Sequence, residues 1–186
     1  IGSSTIDTLG YLSIQDSVLS HNSTGVTLPI LPLNSVDVSG NIGWFNVAIS
    51  ISGTLYNDEG LSALGSGKTV RLLRNGSSAT TTLTDGSGYY IFNNIIVSGG
   101  DILTAHIDEA PEDAVTVTRA SASTITGLDL YKNHLIVRDE DGTPLTSAHL
   151  NTANDSDSDI LAIYTDGNPP TINSGKTLYV WPGKSF

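Results

Sequence analysis

The chain of 186 residues carries a formal net charge of −11 from 19 acidic and 8 basic residues, which argues against a nucleic-acid partner, because affinity for a phosphate backbone rests on cationic contacts. It contains no cysteine, so disulfides, thiolate metal sites and a thiol nucleophile are excluded. With 38% hydrophobic and 15% charged residues, and with Ser, Thr, Asn and Gly supplying most of the polarity, the composition predicts one or two globular β domains rather than long amphipathic helices.

There is no methionine, not even at position 1, which predicts a processed or excised chain whose leader has been removed, and hence an exported, extracellular or cell-surface protein. No apolar run approaches the roughly 20 residues of a membrane span. The first forty-odd residues differ from the rest. Residues 4–19, STIDTLGYLSIQDSVL, alternate imperfectly, and Pro29 and Pro32 forbid a central strand for the segment around them. Residues 1–42 therefore read as a strand-forming arm with a proline-containing connector, its apolar side chains being Ile6, Leu12, Ile14, Val18 and Leu19. An arm that cannot build its own core must pack on this chain's sheets or on a neighbour's.

From Trp44 to Leu55 the residues Phe45, Val47, Ile49, Ile51 and Leu55 alternate with small polar ones, the period of a half-buried strand. Further strands are predicted at Thr69–Arg74, Thr80–Thr84, Tyr89–Phe92, Ile102–Ile107, Ala114–Arg119, Leu128–Arg138, Ile160–Thr165 and Thr177–Trp181. Turn dipeptides such as Asn75-Gly76, Asp85-Gly86, Asp141-Gly142 and Asp166-Gly167 separate most of them. Short strands at this spacing predict an all-β fold, one or two small β-sandwich domains behind the extended arm, divided as 43–108 and 109–186. The second part is either a separate domain or an extension of the first. A short helix fits only Pro144–Leu150.

Two copies of Ser-Gly-Lys-Thr, at 66–69 and 174–177, imitate a phosphate-binding loop. That loop needs a glycine five positions before the one preceding lysine, and here those positions are Ser62 and Pro170. Both tetrapeptides also precede a strand-like run, whereas a phosphate loop follows a strand and opens a helix. They are predicted to be turn-to-strand junctions.

Residues 53–60 (GTLYNDEG), 67–73 (GKTVRLL) and 80–92 (TTTLTDGSGYYIF) resemble the prealbumin-like β-sandwich modules of secreted bacterial surface proteins, among them carboxypeptidase-regulatory-like and Cna-B-type repeats. The hairpin of that pattern falls on Thr84, Asp85, Gly88, Tyr90 and Phe92. Residues 127–142, 162–167 and 174–181 are similar to segments that follow such modules in surface proteins. The resemblance implies a stalk, repeat or interaction module outside the cell. Some relatives crosslink a strand lysine to Asn or Asp; the strand Trp44–Leu55 has no lysine, which leaves Lys68 or Lys132 for such a bond.

Asp155, Asp157 and Asp159 alternate with serines after Asn154, and oxygen ligands at that spacing on a turning loop suit calcium. Asp139 and Asp141 on another loop are predicted to add ligands, although the glycine and distant glutamate of an EF-hand loop are missing. The bland alternative is a solvated acidic loop. Asp108, Glu109, Glu112 and Asp113 make a second acidic group around Pro111; it lacks the aromatic surroundings of a glycosidase site and reads as solvated. His21, His106, His134 and His149 are scattered singly, without the paired spacing of a zinc site, and no nucleophile elbow is present. Trp44 and Trp181 suit core packing, with carbohydrate stacking as the alternative. Asn22, Asn75 and Asn154 begin glycosylation tripeptides.

No catalytic or cofactor-binding residue is predicted, and calcium is the one inorganic partner. The leading expectation is a non-enzymatic extracellular structural protein that polymerises with copies of itself into a filament or layer, each subunit donating its arm to the next. The alternative is a monomeric adhesin or carbohydrate-binding module that takes surface glycans.

Overall fold

The computed structural model describes residues 13–15, 36–39 and 47–186. The chain divides into two compact units, Ile1–Asn46 and Val47–Phe186. In the first, β1 (Ser13–Gln15) pairs in parallel with β2 (Val36–Ser39), with Ile14 opposite Asp37. Of the arm residues only Ile14 is in a described strand; Ile6, Leu12, Val18 and Leu19 lie outside the described residues, as do Trp44, His21 and Asn22.

The second unit is largely β-stranded. Its strands are β3 (Val47–Tyr56), β4 (Thr69–Arg74), β5 (Ser77–Leu83), β6 (Tyr89–Val97), β7 (Ile102–Ile107), β8 (Val115–Arg119), β9 (Leu130–Tyr131), β10 (His134–Val137), β11 (Tyr164–Thr165), β12 (Thr171–Ile172) and β13 (Thr177–Val180). Two short helices, α1 (Ser147–Ala153) and α2 (Ser158–Leu161), interrupt the series. A six-stranded sheet runs in the order β13-β10-β8-β7-β4-β5, a three-stranded one in the order β6-β3-β9, and β11 pairs with β12. The large sheet thus takes strands from both sides of residue 108.

Alternation along β7 explains the packing. Leu103, Ala105 and Ile107 join a core shared with Ile51, Leu55 and Tyr90 of the smaller sheet. Ile102 faces the other way, into a second core with Leu150, Ile160 and Tyr164 of the helical segment. Every residue of β7 is consequently buried, including Thr104 and His106. A strand covered on both faces can carry polar side chains only if each finds a partner. Thr104 does, donating to the Ala153 carbonyl at the end of α1, 2.9 Å away.

The small sheet is locked against the chain that crosses over it. Ile51 bridges to Ile125 in parallel, and the Tyr90 hydroxyl donates to the Leu128 carbonyl. Gly53 makes this approach possible: a Cβ there would meet the Leu128 carbonyl and stand 2.9 Å from Tyr90 Oη.

Two strand expectations give way. Leu128–Arg138 is not one strand, because Asn133 turns the chain with φ +63, putting β9 in the small sheet and β10 in the large one. Of Ile160–Thr165 only Tyr164 and Thr165 are strand; Ile160 and Leu161 end α2, since Asp157 caps that helix by accepting from the Asp159 amide, a local hydrogen bond that wins over strand propensity. The helix predicted around Pro144–Leu150 forms at Ser147–Ala153, where Thr146 and His149 make a reciprocal capping box. Among the described residues no helix is long and apolar enough to cross a membrane.

Candidate metal centre

The alternating aspartates have a local function first. The Asn154 side chain accepts from the Ser156 amide at 2.8 Å, Asp155 from the Asp157 amide at 3.0 Å, and Asp157 from the Asp159 amide at 2.9 Å. These are successive Asx turns, the last of which starts α2. Spacing by two is what such turns require.

The aspartates meet residues of β4 and β7. Arg71, on β4, sets Nη1 2.5 Å from Asp157 Oδ2 and Nη2 3.3 Å from Asp155 Oδ2, with Asp108 Oδ1 at 3.9 Å. Asp159 Oδ2 accepts from the Glu109 amide at 2.8 Å. Ligand atoms of His106, Asp108, Asp157 and Asp159 all lie within 4.8 Å of one another, an arrangement able to coordinate a divalent ion. His106 is fully buried, its Nδ1 lies 3.1 Å from the Ile107 carbonyl oxygen, and its Nε2 has no hydrogen-bond partner.

Two of the predicted ligands, Asp157 and Asp159, are therefore brought together, and Asp155 stands beside them against Arg71. Asp139 and Asp141 are engaged elsewhere. Asp139 is buried with Lys184 Nζ 3.2 Å away. Asp141 receives Arg119 Nε at 2.6 Å and the Thr143 amide at 2.9 Å; partial burial pushes its pKa up, but these two donors outweigh burial and hold it below the usual range. His106 and Asp108 were not read as ligands. A lone histidine in a strand-like run reads as core, Asp108 two residues on reads as part of a solvated acidic turn, and the other two carboxylates come from a loop about fifty residues downstream.

The two motif lysines find carboxylates rather than phosphate. Lys68 Nζ is 2.7 Å from Glu112 Oε2, and Lys176 Nζ is 2.5 Å from Asp113 Oδ2 and 2.8 Å from Asn133 Oδ1. The acidic pair beside Pro111 thus serves both copies. The hydrogen bond from Lys68 keeps the Glu112 pKa below the usual carboxylate value despite some burial. Gly67 and Gly175, with φ of +80 and +77, form the two turns. Lys132 reaches Asn57 Oδ1 at 3.4 Å.

Trp181 belongs to a cluster of rings. Its centroid is 6.2 Å from that of Tyr179 and 6.4 Å from that of Tyr131, and the Arg138 guanidinium lies 4.9 Å over its face. One face of the indole is thereby used within the chain. Burial raises the Tyr131 hydroxyl to a pKa of about 12, helped by nearby Asp129.

No protein-family model matches this chain, and no curated protein sequence matches it.

Proposed function

We propose that this chain is a non-enzymatic structural subunit of an extracellular assembly, and that subunits join by lending the N-terminal segment to an open sheet edge of the next copy. In this reading Val47–Phe186 is a prealbumin-like β-sandwich whose second face is covered by the helical segment. The observation that carries the proposal is the edge strand β6. It ends the order β6-β3-β9, runs for nine residues without a lysine, arginine or proline, and exposes Tyr89, Ile91 and Ile96. Soluble proteins usually blunt such an edge with charge or proline; here Arg74 Nη1 donates to the Ile96 carbonyl at 2.8 Å, and the remaining length of the edge offers backbone hydrogen bonds to an added strand. Among the described residues no further strand pairs with it.

A segment donated to the next copy makes a head-to-tail contact, which grows without closing. The arm's spaced apolar residues Ile6, Leu12, Ile14, Val18 and Leu19 are the side chains that would seat along the acceptor. A divalent cation at the carboxylate cluster would brace each subunit; calcium is the ion the loop's oxygens alone would take, and His106 beside them favours a nitrogen-binding ion instead. Negative-stain microscopy provides the test. The full chain forms filaments, a chain lacking residues 1–42 stays monomeric and folded, and a synthetic peptide of residues 1–30 binds the truncated chain. Ile91→Lys in the full chain reduces polymerisation without unfolding it. Filaments of the same form from the truncated chain would refute strand donation, and unaltered assembly of Ile91→Lys would refute the β6 edge as acceptor.

A further inference from the structure

We propose that His106, Asp108, Asp157 and Asp159 bind one divalent ion of the zinc class, taking nitrogen together with oxygen, and that this ion staples the end of β7 to the first turn of α2.

The acidic loop alone would be ordinary. What sets this cluster apart is His106, whose side chain is completely buried while Nε2 has no partner, a condition that buried polar atoms seldom tolerate. Its tautomer follows from its other nitrogen. A backbone carbonyl can only accept, so Nδ1, 3.1 Å from the Ile107 oxygen, carries the proton. Nε2 is then left with an unshared lone pair, on a ring that offers its ligand atom within 4.8 Å of the three carboxylates. Metal-bound histidines characteristically donate their second nitrogen to a carbonyl or carboxylate in this way, which fixes the ring and strengthens the ligating atom.

The acids leave room for the ion. Asp159 uses Oδ2 for the Glu109 amide, leaving Oδ1. Asp108 has only the 3.9 Å approach of Arg71. Asp157 is held by the Asp159 amide and Arg71, which orients its carboxylate rather than exhausting it, since each oxygen has two lone pairs. Neighbouring ligand atoms of a tetrahedral zinc ion, each at about 2.1 Å, lie about 3.4 Å apart, so a cluster with atoms within 4.8 Å closes on the ion by side-chain movements of about an ångström. Charge points the same way: Asp108, Asp155 and Asp157 gather around the guanidinium of Arg71 with Asp159 close to two of them, and a divalent ion reduces the remaining negative excess.

The imidazole decides the class of metal. Calcium takes about six to eight oxygen ligands, whereas imidazole nitrogen suits zinc and its transition-metal neighbours. Because His106 and Asp108 belong to β7 and its exit, and Asp157 and Asp159 to the cap and first turn of α2, an ion bound only by the native arrangement raises the stability of the whole unit.

Isothermal titration of the EDTA-treated full chain with zinc chloride tests the site, and its outcome does not depend on whether the chain polymerises. One zinc binds per chain, the unfolding midpoint rises with zinc, and cobalt(II) gives the absorption bands of a nitrogen-ligated ion. In His106→Asn, verified as folded by circular dichroism, and in Asp108→Asn, zinc affinity falls at least about tenfold. The proposal is overturned by absence of saturable zinc binding, by unchanged affinity in either folded variant, or by calcium binding of equal strength that His106→Asn leaves intact. Should His106→Asn not fold, Asp108→Asn decides alone.

Discussion

Replacing Gly53 with alanine tests the joint between the small sheet and the crossing chain. An added Cβ would sit 2.5 Å from the Leu128 carbonyl carbon, closer still to its oxygen, and 2.9 Å from Tyr90 Oη. The obstacle is backbone, which cannot swing aside as the end of a long side chain can. Two costs result. Overpacking of this kind costs about 1–3 kcal/mol. Pushing Leu128 away also breaks its hydrogen bond from the buried Tyr90 hydroxyl, and a buried polar group left without a partner costs about 1–3 kcal/mol. Together the two span about 2–6 kcal/mol, and with partial relaxation of the crossing chain a loss of about 3 kcal/mol is expected, a large share of the net stability of a typical domain. At about 2–4 °C per kcal/mol for a protein of this size, the unfolding midpoint falls by about 6–12 °C. Gly86→Ala is the control, because a Cβ at Gly86 meets nothing within 4 Å and its change should stay within about 0.5 kcal/mol. Calorimetry or urea unfolding of both variants measures the difference. If Gly53→Ala proves as mild as Gly86→Ala, the close approach is not what limits this position.

Burial raises the pKa of Asp129 above its ordinary 3.8, opposed by the Thr54 amide and by Arg138, so the folded chain keeps this proton to higher pH than the unfolded one. Its contribution is most favourable below pH 3.8 and is lost as pH rises through the folded pKa; Asp129→Asn should therefore gain stability relative to wild type across that rise, as read from urea unfolding at several pH values, and a difference independent of pH would refute the assignment. Thr146→Ala removes the cap of α1 and should cost about 1 kcal/mol, with no measurable loss arguing that α1 is held by Leu150 and Ala153 alone. Lys68 and Lys176 are committed to Glu112 and Asp113, so calorimetry with ATP and magnesium should give no heat; micromolar binding lost in Lys68→Ala would overturn this. Lys68→Ala itself should change stability by less than about 1 kcal/mol, as a partly exposed ion pair does.

Sequence by itself determined most of what is local. Period-two alternation located β3, and strand-favouring runs set off by turn dipeptides located β4 and β7, because both signals are local to the chain. The missing glycines and the order of turn and strand identified both Ser-Gly-Lys-Thr copies as junctions, and Gly67 and Gly175 do turn the chain there. The alternating aspartates were legible as oxygen donors, but not as the Asx turns and helix cap that organise them, since a capping aspartate and a metal ligand look alike without their partners. Tertiary structure alone decided the rest. Asn133 breaks an apolar run that alternation reads as one strand, sending its halves to different sheets. Arg71 and Asp157 are 86 residues apart in the chain and 2.5 Å apart in space, and His106 acquires its significance only because the second core buries it facing that loop. Periodicity reports which face a residue takes; which distant side chains share that face is set by the order in which the strands pair.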